Sequence, residues 1–253
     1  MRKLLILSVF SLIAFSHADE INPNVRPDNF VELQKEIPQI QADMRYYGEH
    51  NFVGARVTGY NAPICLVTKP TADALKSVVT KLNSMGLTIK VYDCYRPQMA
   101  VNDFITWAKQ LDNVKTQKEF YPTVDKKNLF NDGYIAAKSG HSRGSTMDLT
   151  IVPLGSTIPQ YTPGIKLVNC SASKDLRFPD NSLDFGTGFD CFSPISHPSY
   201  PNLSPQIKAN RLLLQTLMHD AGFIGLKEEW WHFTLKNETY PNTYFNFPID
   251  KSK

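Results

Sequence analysis

SGHSRGSTMDLT, residues 139–150, is the most informative segment of the chain. It places His141 and Asp148 seven positions apart and runs into LTIV at 149–152, an apolar, β-branched sequence that is typical of a buried strand. His and Asp both bind zinc, but side chains an odd number of positions apart lie on opposite faces of a straight strand. We therefore expect the chain to bend at 144–145, so that both side chains can reach one ion.

A catalytic zinc site needs more than two ligands, and the segment EEWWHF at 228–233 supplies candidates for the missing groups. His232 is a candidate third ligand, and three protein ligands leave a fourth zinc position for water, as in catalytic sites. Zinc lowers the pKa of its water to about 7, and Glu229 is a candidate base that takes the proton and passes it to the leaving amine. Glu228 is the rival for that role. His197 is a possible fourth ligand, although a structural role in its loop is the more common use of such a histidine.

Three other polar residues each have an ordinary structural alternative. Arg96, in YDCYRP at 92–97, directly follows a predicted strand, where binding and catalytic residues often stand. It can stabilise the oxyanion of a tetrahedral intermediate, but taken alone it fits a surface ion pair better. His50 and His219 lie in a polar loop and at a helix end, which favours solvent-exposed or capping roles.

Hydrophobic periodicity predicts helices and strands arranged around one short sheet. The helices begin at a threonine, a proline and a serine, which favour helix N-termini, and the strands are rich in β-branched and aromatic residues. The predicted helices are 71–86, one starting at Pro97, and 204–222, and the predicted strands are 87–93 and 228–235. These elements indicate an α+β fold: a single domain with a small, mainly antiparallel sheet flanked by helices, and the zinc site on the sheet.

The first 18 residues have the three parts of a secretory signal peptide: basic Arg2 and Lys3, an apolar run at 4–15 and a small-residue cleavage site. The apolar run is shorter than the roughly 20 residues that a bilayer-spanning helix requires, so we expect no stable membrane anchor. The protein is therefore predicted to be secreted, into the periplasm or out of the cell. Removal of the signal lowers the formal net charge from +3 to +1, and this near-neutral balance argues against a nucleic-acid partner.

The four cysteines all lie in the exported part of the chain. An even number in an oxidising compartment favours two disulfides, and three pairings are possible. We favour Cys65 with Cys94 and Cys170 with Cys191, because each pair joins neighbouring segments. A four-cysteine zinc site is the weaker interpretation, since the chain has no C-x-x-C pair.

Together, YRP after a strand, SGHSRGSTMD and EWWH near the C-terminus form an ordered set that resembles the D-alanyl-D-alanine dipeptidases, a family of zinc enzymes. The resemblance runs from about Asp43 to Pro248 and includes NFVGARVTGY and YPNTYFNFP. It implies one Zn²⁺ per chain. The implied zinc ligands are His141, Asp148 and His232, the implied catalytic acid and base is Glu229, and the implied transition-state arginine is Arg96.

The resemblance also implies a substrate pocket. Tyr46, Tyr134 and Ser139 fall on positions that line the family's pocket, and Asp190 matches an acid expected to hold the substrate's free ammonium. A small closed pocket with such an acid favours a dipeptide, because a longer peptide would bury an unpaired amide where the ammonium belongs. The expected partner is thus a small dipeptide, and no oligomeric state is implied.

The chain departs from the family's pattern in three places. Thr146 stands where the motif commonly has alanine. A long stretch rich in Pro, Gly, Ser and Asp, at about 153–188, exceeds its counterpart in shorter family members and contains Cys170. The signal peptide is the third departure, since the resistance enzymes of the family act in the cytoplasm. We accordingly divide the chain into the signal (1–18), a polar, proline-punctuated lead-in (19–42) and the catalytic domain (43–253).

These features predict an exported zinc metallopeptidase that hydrolyses D-Ala-D-Ala or a close D-amino-acid dipeptide. One alternative is a related zinc carboxypeptidase or L,D-endopeptidase that acts on longer peptidoglycan peptides. An alternative from another class is an exported binding or effector protein that has this fold without turnover.

Overall fold

The computed structural model describes residues 21–251, so the predicted signal peptide lies outside the described residues. In that range no helix is long and apolar enough to cross a membrane. In chain order the elements are β1 Phe30–Glu32, α1 Leu33–Glu36, β2 Gln41–Ala42, β3 Leu66–Thr68, α2 Lys69–Asn83, β4 Leu87–Asp93, α3 Gln98–Lys109, α4 Gln117–Phe120, β5 Thr146–Pro153, α5 Pro205–Asp220, β6 Phe223–Gly225 and β7 His232–Leu235. Short 3-10 turns lie at Arg45–Tyr47, Lys126–Asn128, Gly140–Arg143 and Pro194–Ser196.

The main sheet has five strands in the order β2-β4-β5-β7-β6. The pairs β4–β5, β5–β7 and β6–β7 are antiparallel, and β2 joins the edge of β4 in parallel. A second sheet pairs β1 with β3. The predicted α+β fold with a small, mainly antiparallel sheet is confirmed.

Helix and strand positions follow the local signals in the sequence. Strand β4 has the predicted bounds, 87–93, and α5 begins after Ser204, whose side chain accepts a hydrogen bond from the backbone N of Ile207. Helix α2 starts two residues before the predicted 71, because a proline at position 70 is tolerated in the first turn of a helix.

Residues 30–42 of the lead-in segment are part of the folded domain, because they contribute β1, α1 and β2. Phe30 and Leu33 are buried, and Ala42 pairs with Val91 of β4. Residues 30–42, which the sequence placed in the lead-in, therefore pack against the domain that follows. Very short strands that pair with distant parts of the chain leave too little periodicity to be read from the sequence.

Two groups of buried apolar side chains form the core. One packs α2 and α5 against the sheet through residues such as Leu75, Val91, Leu149 and Met218. The other is rich in aromatic rings and packs α3 against the loops that precede and follow it. Its members Phe52, Phe104 and Phe192 also line the cavity described below, so aromatic packing shapes one wall of the site.

Both preferred disulfides are present. Cys65 is bonded to Cys94 at the end of β4, and Cys170 is bonded to Cys191. The second bridge closes part of the long segment 154–193, which contains neither a helix nor a strand.

The long segment is also held by a buried ionic contact. Asp180 bridges Arg45 and Lys90, with oxygen to nitrogen distances of 2.9 and 2.7 Å, and accepts a hydrogen bond from the hydroxyl of Tyr92. Burial alone would raise the pKa of Asp180, but Lys90 and Arg45 lower it to about 2. The acid is therefore ionised at neutral pH, and it ties the segment to β4.

His50 is buried, which overturns the solvent-exposed or capping role expected from its polar loop. Its Nδ1 lies 3.0 Å from Arg45 Nη1, and its Nε2 lies 2.7 Å from Glu119 Oε1. Because arginine only donates hydrogen bonds, Nδ1 must accept and Nε2 must donate. Burial and the charge of Arg45 lower the pKa of His50, which favours this neutral tautomer. His219 is exposed, as expected.

Candidate active site

A sharp bend before β5 brings His141 close to Asp148. The 3-10 turn at the bend begins after Ser139, whose Oγ accepts a hydrogen bond from the backbone N of His141 at 3.3 Å. Gly144 ends the turn at a φ of 79°, a left-handed conformation that glycine adopts without penalty. A Cβ at this position would collide with a neighbouring aromatic ring. The expected bend is present, and it allows the odd spacing to bring both side chains to one place.

The pairing of β5 with β7 supplies the third member of the group, because His232 lies opposite Asp148 in the register of the two strands. Asp148 Oδ1 is 3.1 Å from His232 Nδ1 and 3.4 Å from His141 Nε2. The two ring nitrogens are 3.2 Å apart. Three atoms that can bind a metal thus converge on one point.

The hydrogen bonding around these atoms fits a zinc ion. His141 Nδ1 lies 2.7 Å from the backbone oxygen of Cys94 and must donate to it, so Nε2 presents its lone pair to the site. Asp148 Oδ1 is buried and has no hydrogen-bond partner among the described residues. Burial lowers the pKa of His232, which favours the neutral ring that a metal requires. Two neutral imidazoles and one carboxylate are a common zinc donor set.

Glu229, and not Glu228, lines the cavity at this site. Glu229 Oε2 lies 3.6 Å from His232 Nδ1, and its side chain is only 11% exposed. Burial, and then the charges of Asp148 and Asp190, raise the pKa of Glu229 well above its ordinary value. A carboxyl group with a raised pKa can both take and give a proton near neutral pH. Glu228 instead forms an ion pair with the neighbouring lysine.

Arg96 is held against the same site by a buried acid that sequence reasoning missed, Asp93. Arg96 Nε donates to Asp93 Oδ2 at 2.9 Å, and Arg96 Nη2 lies at the same distance from that oxygen. Asp93 also accepts a hydrogen bond from Tyr60 at 2.6 Å. Arg96 Nη2 is 3.8 Å from Asp148 Oδ2. Burial would lower the pKa of Arg96, but Asp93 and other neighbouring groups raise it, so the guanidinium remains charged.

The ligand group opens into a cavity of about 210 Å³. This volume is smaller than the roughly 300–1,000 Å³ of pockets for drug-sized ligands, and it suits a substrate of dipeptide size. The four residues expected to line a substrate pocket all line this cavity: Tyr46, Tyr134, Ser139 and Asp190.

Asp190 and Tyr46 form a buried pair in the cavity wall. Tyr46 donates its hydroxyl hydrogen to Asp190 Oδ2 at 2.8 Å. Burial, followed by the charge of Asp148, raises the pKa of Asp190 to about 8. A cation that enters the cavity would stabilise the ionised carboxylate. The pair is therefore suited to receive an ammonium group.

Two further polar residues lie near the cavity, and the first, His197, agrees with the structural role favoured from the sequence. His197 is outside the ligand group, and its Nε2 lies 3.4 Å from the hydroxyl of Tyr134. Lys138 lines the cavity, although sequence reasoning did not single it out. Two sequence features could have identified these residues. Lys138 directly precedes Ser139, and Asp93 lies three residues before Arg96.

Comparison with known proteins identifies a family that the chain matches over most of its length. The model of the D-Ala-D-Ala dipeptidase family, peptidase family M15, matches residues 26–159 and 176–250. The chain belongs to this family. The match begins earlier than the expected Asp43, and its interruption falls within the long segment after β5. The resemblance inferred from the three motifs is confirmed.

Several relatives in this family are similar over most of the chain. A D-alanyl-D-alanine dipeptidase of Streptomyces coelicolor is 34% identical over 87% of this chain and 98% of its own length. A D-alanyl-D-alanine dipeptidase of Enterococcus faecium is 32% identical over 87% of this chain and 98% of its own length. One of Escherichia coli is 29% identical over 83% of this chain and 87% of its own length. A crystal structure of a vancomycin resistance D,D-pentapeptidase in complex with Zn(II) has a TM-score of 0.35 and 14% identity, covering 68% of this chain and 74% of its own.

Proposed function

We propose that this chain is an exported zinc dipeptidase that hydrolyses D-Ala-D-Ala or a close D-amino-acid dipeptide. The observation that carries the proposal is the convergence of His141, Asp148 and His232, with Glu229 beside them, at a cavity of dipeptide size. The names of the curated relatives support the same substrate. One zinc ion per chain would be held by the three converging side chains.

The proposed reaction assigns a separate task to each side chain. Zinc, when bound, supplies Lewis acidity and lowers the pKa of water to about 7. Glu229 accepts the proton of the attacking water and transfers it to the leaving amine, a task that its raised pKa permits. Arg96 donates hydrogen bonds to the oxygen on which negative charge develops. Asp93 holds the guanidinium in place for this contact.

Recognition of a free ammonium would make the enzyme selective for dipeptides. Asp190, with Tyr46 beside it, is the acid that would pair with this group. An N-acylated substrate would instead bring an uncharged amide to a buried carboxylate, which costs free energy without a compensating ion pair. Peptides extended at the amino end should be poor substrates for this reason.

Export is the remaining part of the proposal. The signal-like residues 1–18 support it, and so do the two disulfides, which form and persist in oxidising compartments. Identification of the N-terminus of the purified protein and of the cell fraction that contains it would test this part. An uncleaved protein in the cytoplasm would contradict it.

The decisive experiment combines metal analysis with a panel of dipeptides of D,D, L,D and L,L stereochemistry. We expect one zinc per chain and preferential hydrolysis of D-Ala-D-Ala, with loss of activity when the substrate is N-acetylated. Hydrolysis confined to L,L dipeptides would overturn the assignment. Activity on N-acetylated or longer peptides would favour a carboxypeptidase or endopeptidase, and bound zinc without any hydrolysis would favour a binding protein.

A pair of adjacent variants tests the role of the base. Glu229→Ala should lower kcat by about 10²–10⁴-fold, the usual contribution of a general base, while zinc remains bound. Glu228→Ala, at the neighbouring position outside the cavity, is the matched control and should retain activity. Near-normal turnover by Glu229→Ala would show that the proposed role is wrong.

A further inference from the structure

The cavity is lined by more acidic than basic side chains. Its acids are Asp148, Asp190 and Glu229, and among the described residues that line it the only arginine and lysine are Arg96 and Lys138. A dipeptide carries an ammonium at one end and a carboxylate at the other. A carboxylate that enters a cavity with several acids needs a cationic partner, because an unpaired buried charge is costly. The two basic side chains are therefore the candidates for that partner.

The guanidinium of Arg96 already contacts other groups of the protein. Its Nε and Nη2 both contact Asp93 at 2.9 Å, and its side chain is only 12% exposed. Its guanidinium also stacks over the rings of Tyr46 and Phe104, at 5.1 and 4.9 Å from their centres. Movement toward a second carboxylate would leave Asp93 buried without its pair. Arg96 is thus positioned for the reacting centre and not for the end of the substrate.

Lys138 is free to bind an anion. Within residues 21–251 its ammonium makes no ion pair, and the side chain is exposed at the edge of the cavity. Lys138 Nζ lies 5.0 Å from the centre of the Tyr244 ring, a cation–π contact. That ring is itself held by Arg143, which hydrogen-bonds to the Tyr244 hydroxyl and forms a bidentate pair with Glu238. The ammonium therefore has a defined place without a competing carboxylate.

Lys138 is also close in sequence to the metal-binding group. It directly precedes Ser139, which caps the turn that carries His141. A group held by Lys138 would consequently lie in the same cavity as the metal-binding residues. Asp190 reaches the same cavity from a different part of the chain.

We propose that Lys138 binds the C-terminal carboxylate of the substrate and that Lys138 and Asp190 together select for dipeptide length. This inference rests on the proposed function. Two residues of extended chain span roughly 7 Å, so a cation and an acid that line one small cavity can pair with the two termini of a dipeptide. A peptide extended at either end would lose one of these pairs.

The test compares D-Ala-D-Ala with its C-terminal amide, D-Ala-D-alaninamide, in the zinc-loaded enzyme. For Lys138→Met we expect kcat/KM on D-Ala-D-Ala to fall about tenfold, mostly through KM, as for loss of one partly exposed charge-assisted hydrogen bond. The same variant should hydrolyse the amide as the wild type does. Lys138→Arg should keep most of the preference for the free acid. Lys208→Met, which removes an exposed lysine from α5, is the matched control.

The outcomes separate this inference from the proposed function. An equal loss on both substrates, or no loss on D-Ala-D-Ala, would overturn the role of Lys138 while the dipeptidase assignment stands. A zinc-loaded wild-type protein that hydrolyses neither substrate would overturn the proposed function, and this inference with it. Because Lys138 is exposed, its variants should unfold at the same temperature as the wild type, which a thermal scan checks.

Discussion

Replacement of Asp93 by asparagine should release Arg96 from its buried anchor with little change in side-chain volume. Asp93 is fully buried and accepts hydrogen bonds from Tyr60 at 2.6 Å and from Arg96 at 2.9 Å, and His141 Nδ1 lies 3.5 Å from it. Asparagine keeps one acceptor oxygen but loses the charge. Its amide NH₂ would face groups that are themselves donors, so at least one polar contact would be lost.

The size of the effect follows from the burial of the pair. Removal of one partner from a buried ion pair costs about 3–5 kcal/mol, because the other charge stays buried without compensation. For a chain of this length each kcal/mol corresponds to about 2–4 °C in Tm, so Tm should fall by roughly 6–20 °C. A guanidinium that is no longer oriented should also lower kcat by about 10²–10³-fold, as for loss of an oxyanion donor.

The assay measures three quantities for Asp93→Asn: the midpoint of thermal unfolding, kcat on D-Ala-D-Ala and the zinc content. We expect lower stability and lower kcat, with zinc still bound. Asp73→Asn is the matched control, because Asp73 forms exposed ion pairs in α2 that contribute at most about 1 kcal/mol. Full kcat in Asp93→Asn would refute the argument that this acid positions the arginine, and unchanged stability would refute the magnitude.

Three further perturbations have effects that the contacts define. Replacing Cys65 and Cys94 by alanine opens a bridge with a sequence separation of 29, which should cost about 3–4 kcal/mol by chain entropy. Because the Cys94 carbonyl orients His141, a zinc titration should also show weaker binding, and unchanged affinity would contradict this link. Asp180, with its pKa lowered from 3.8 to about 2, contributes about 2 kcal/mol of stability above pH 4. This contribution should disappear as the pH falls from about 5 to 2, and Asp180→Asn should remove this part of a measured stability profile. Gly144→Ala places a Cβ in a left-handed position against an aromatic ring. We expect the free energy of unfolding, measured by denaturation, to fall by about 1–3 kcal/mol and the zinc content to be lower. Wild-type stability would show that the turn tolerates a side chain.

Features set by neighbouring residues could be predicted from the sequence. The bounds of β4 and the serine cap of α5 follow from local apolar spacing and helix capping. The bend at Gly144 followed from the spacing of His141 and Asp148. The three candidate ligands are separated in the chain, but the resemblance of the motifs to a known family assigned them to one site. The register of β5 and β7 explains why they meet.

Features set by distant contacts could not be predicted in the same way. Asp93 was overlooked because an acid at the end of a strand has no distinctive local pattern, and its importance comes from Arg96 and Tyr60 folding onto it. His50 was misjudged because its polar neighbours in sequence are not its neighbours in space. It is instead enclosed by Phe178 and by Tyr161, whose ring stacks on it at 4.4 Å. Both contacts come from the long segment after β5.

That long segment explains how Asp190 can keep an unfavourable backbone conformation. Asp190 is the one non-glycine residue with a positive φ, 55°, among residues 21–251, and such a conformation costs about 1–3 kcal/mol unless its surroundings impose it. The next residue, Cys191, is bonded to Cys170, and the carbonyl of Cys170 accepts a hydrogen bond from Gly188 at 2.8 Å. Tyr46 holds the carboxylate from the other side. The backbone is therefore fixed on both sides of the residue that would meet the substrate's ammonium. We accordingly expect the longer segment to preserve dipeptide selectivity, because it holds the acid in place instead of widening the cavity.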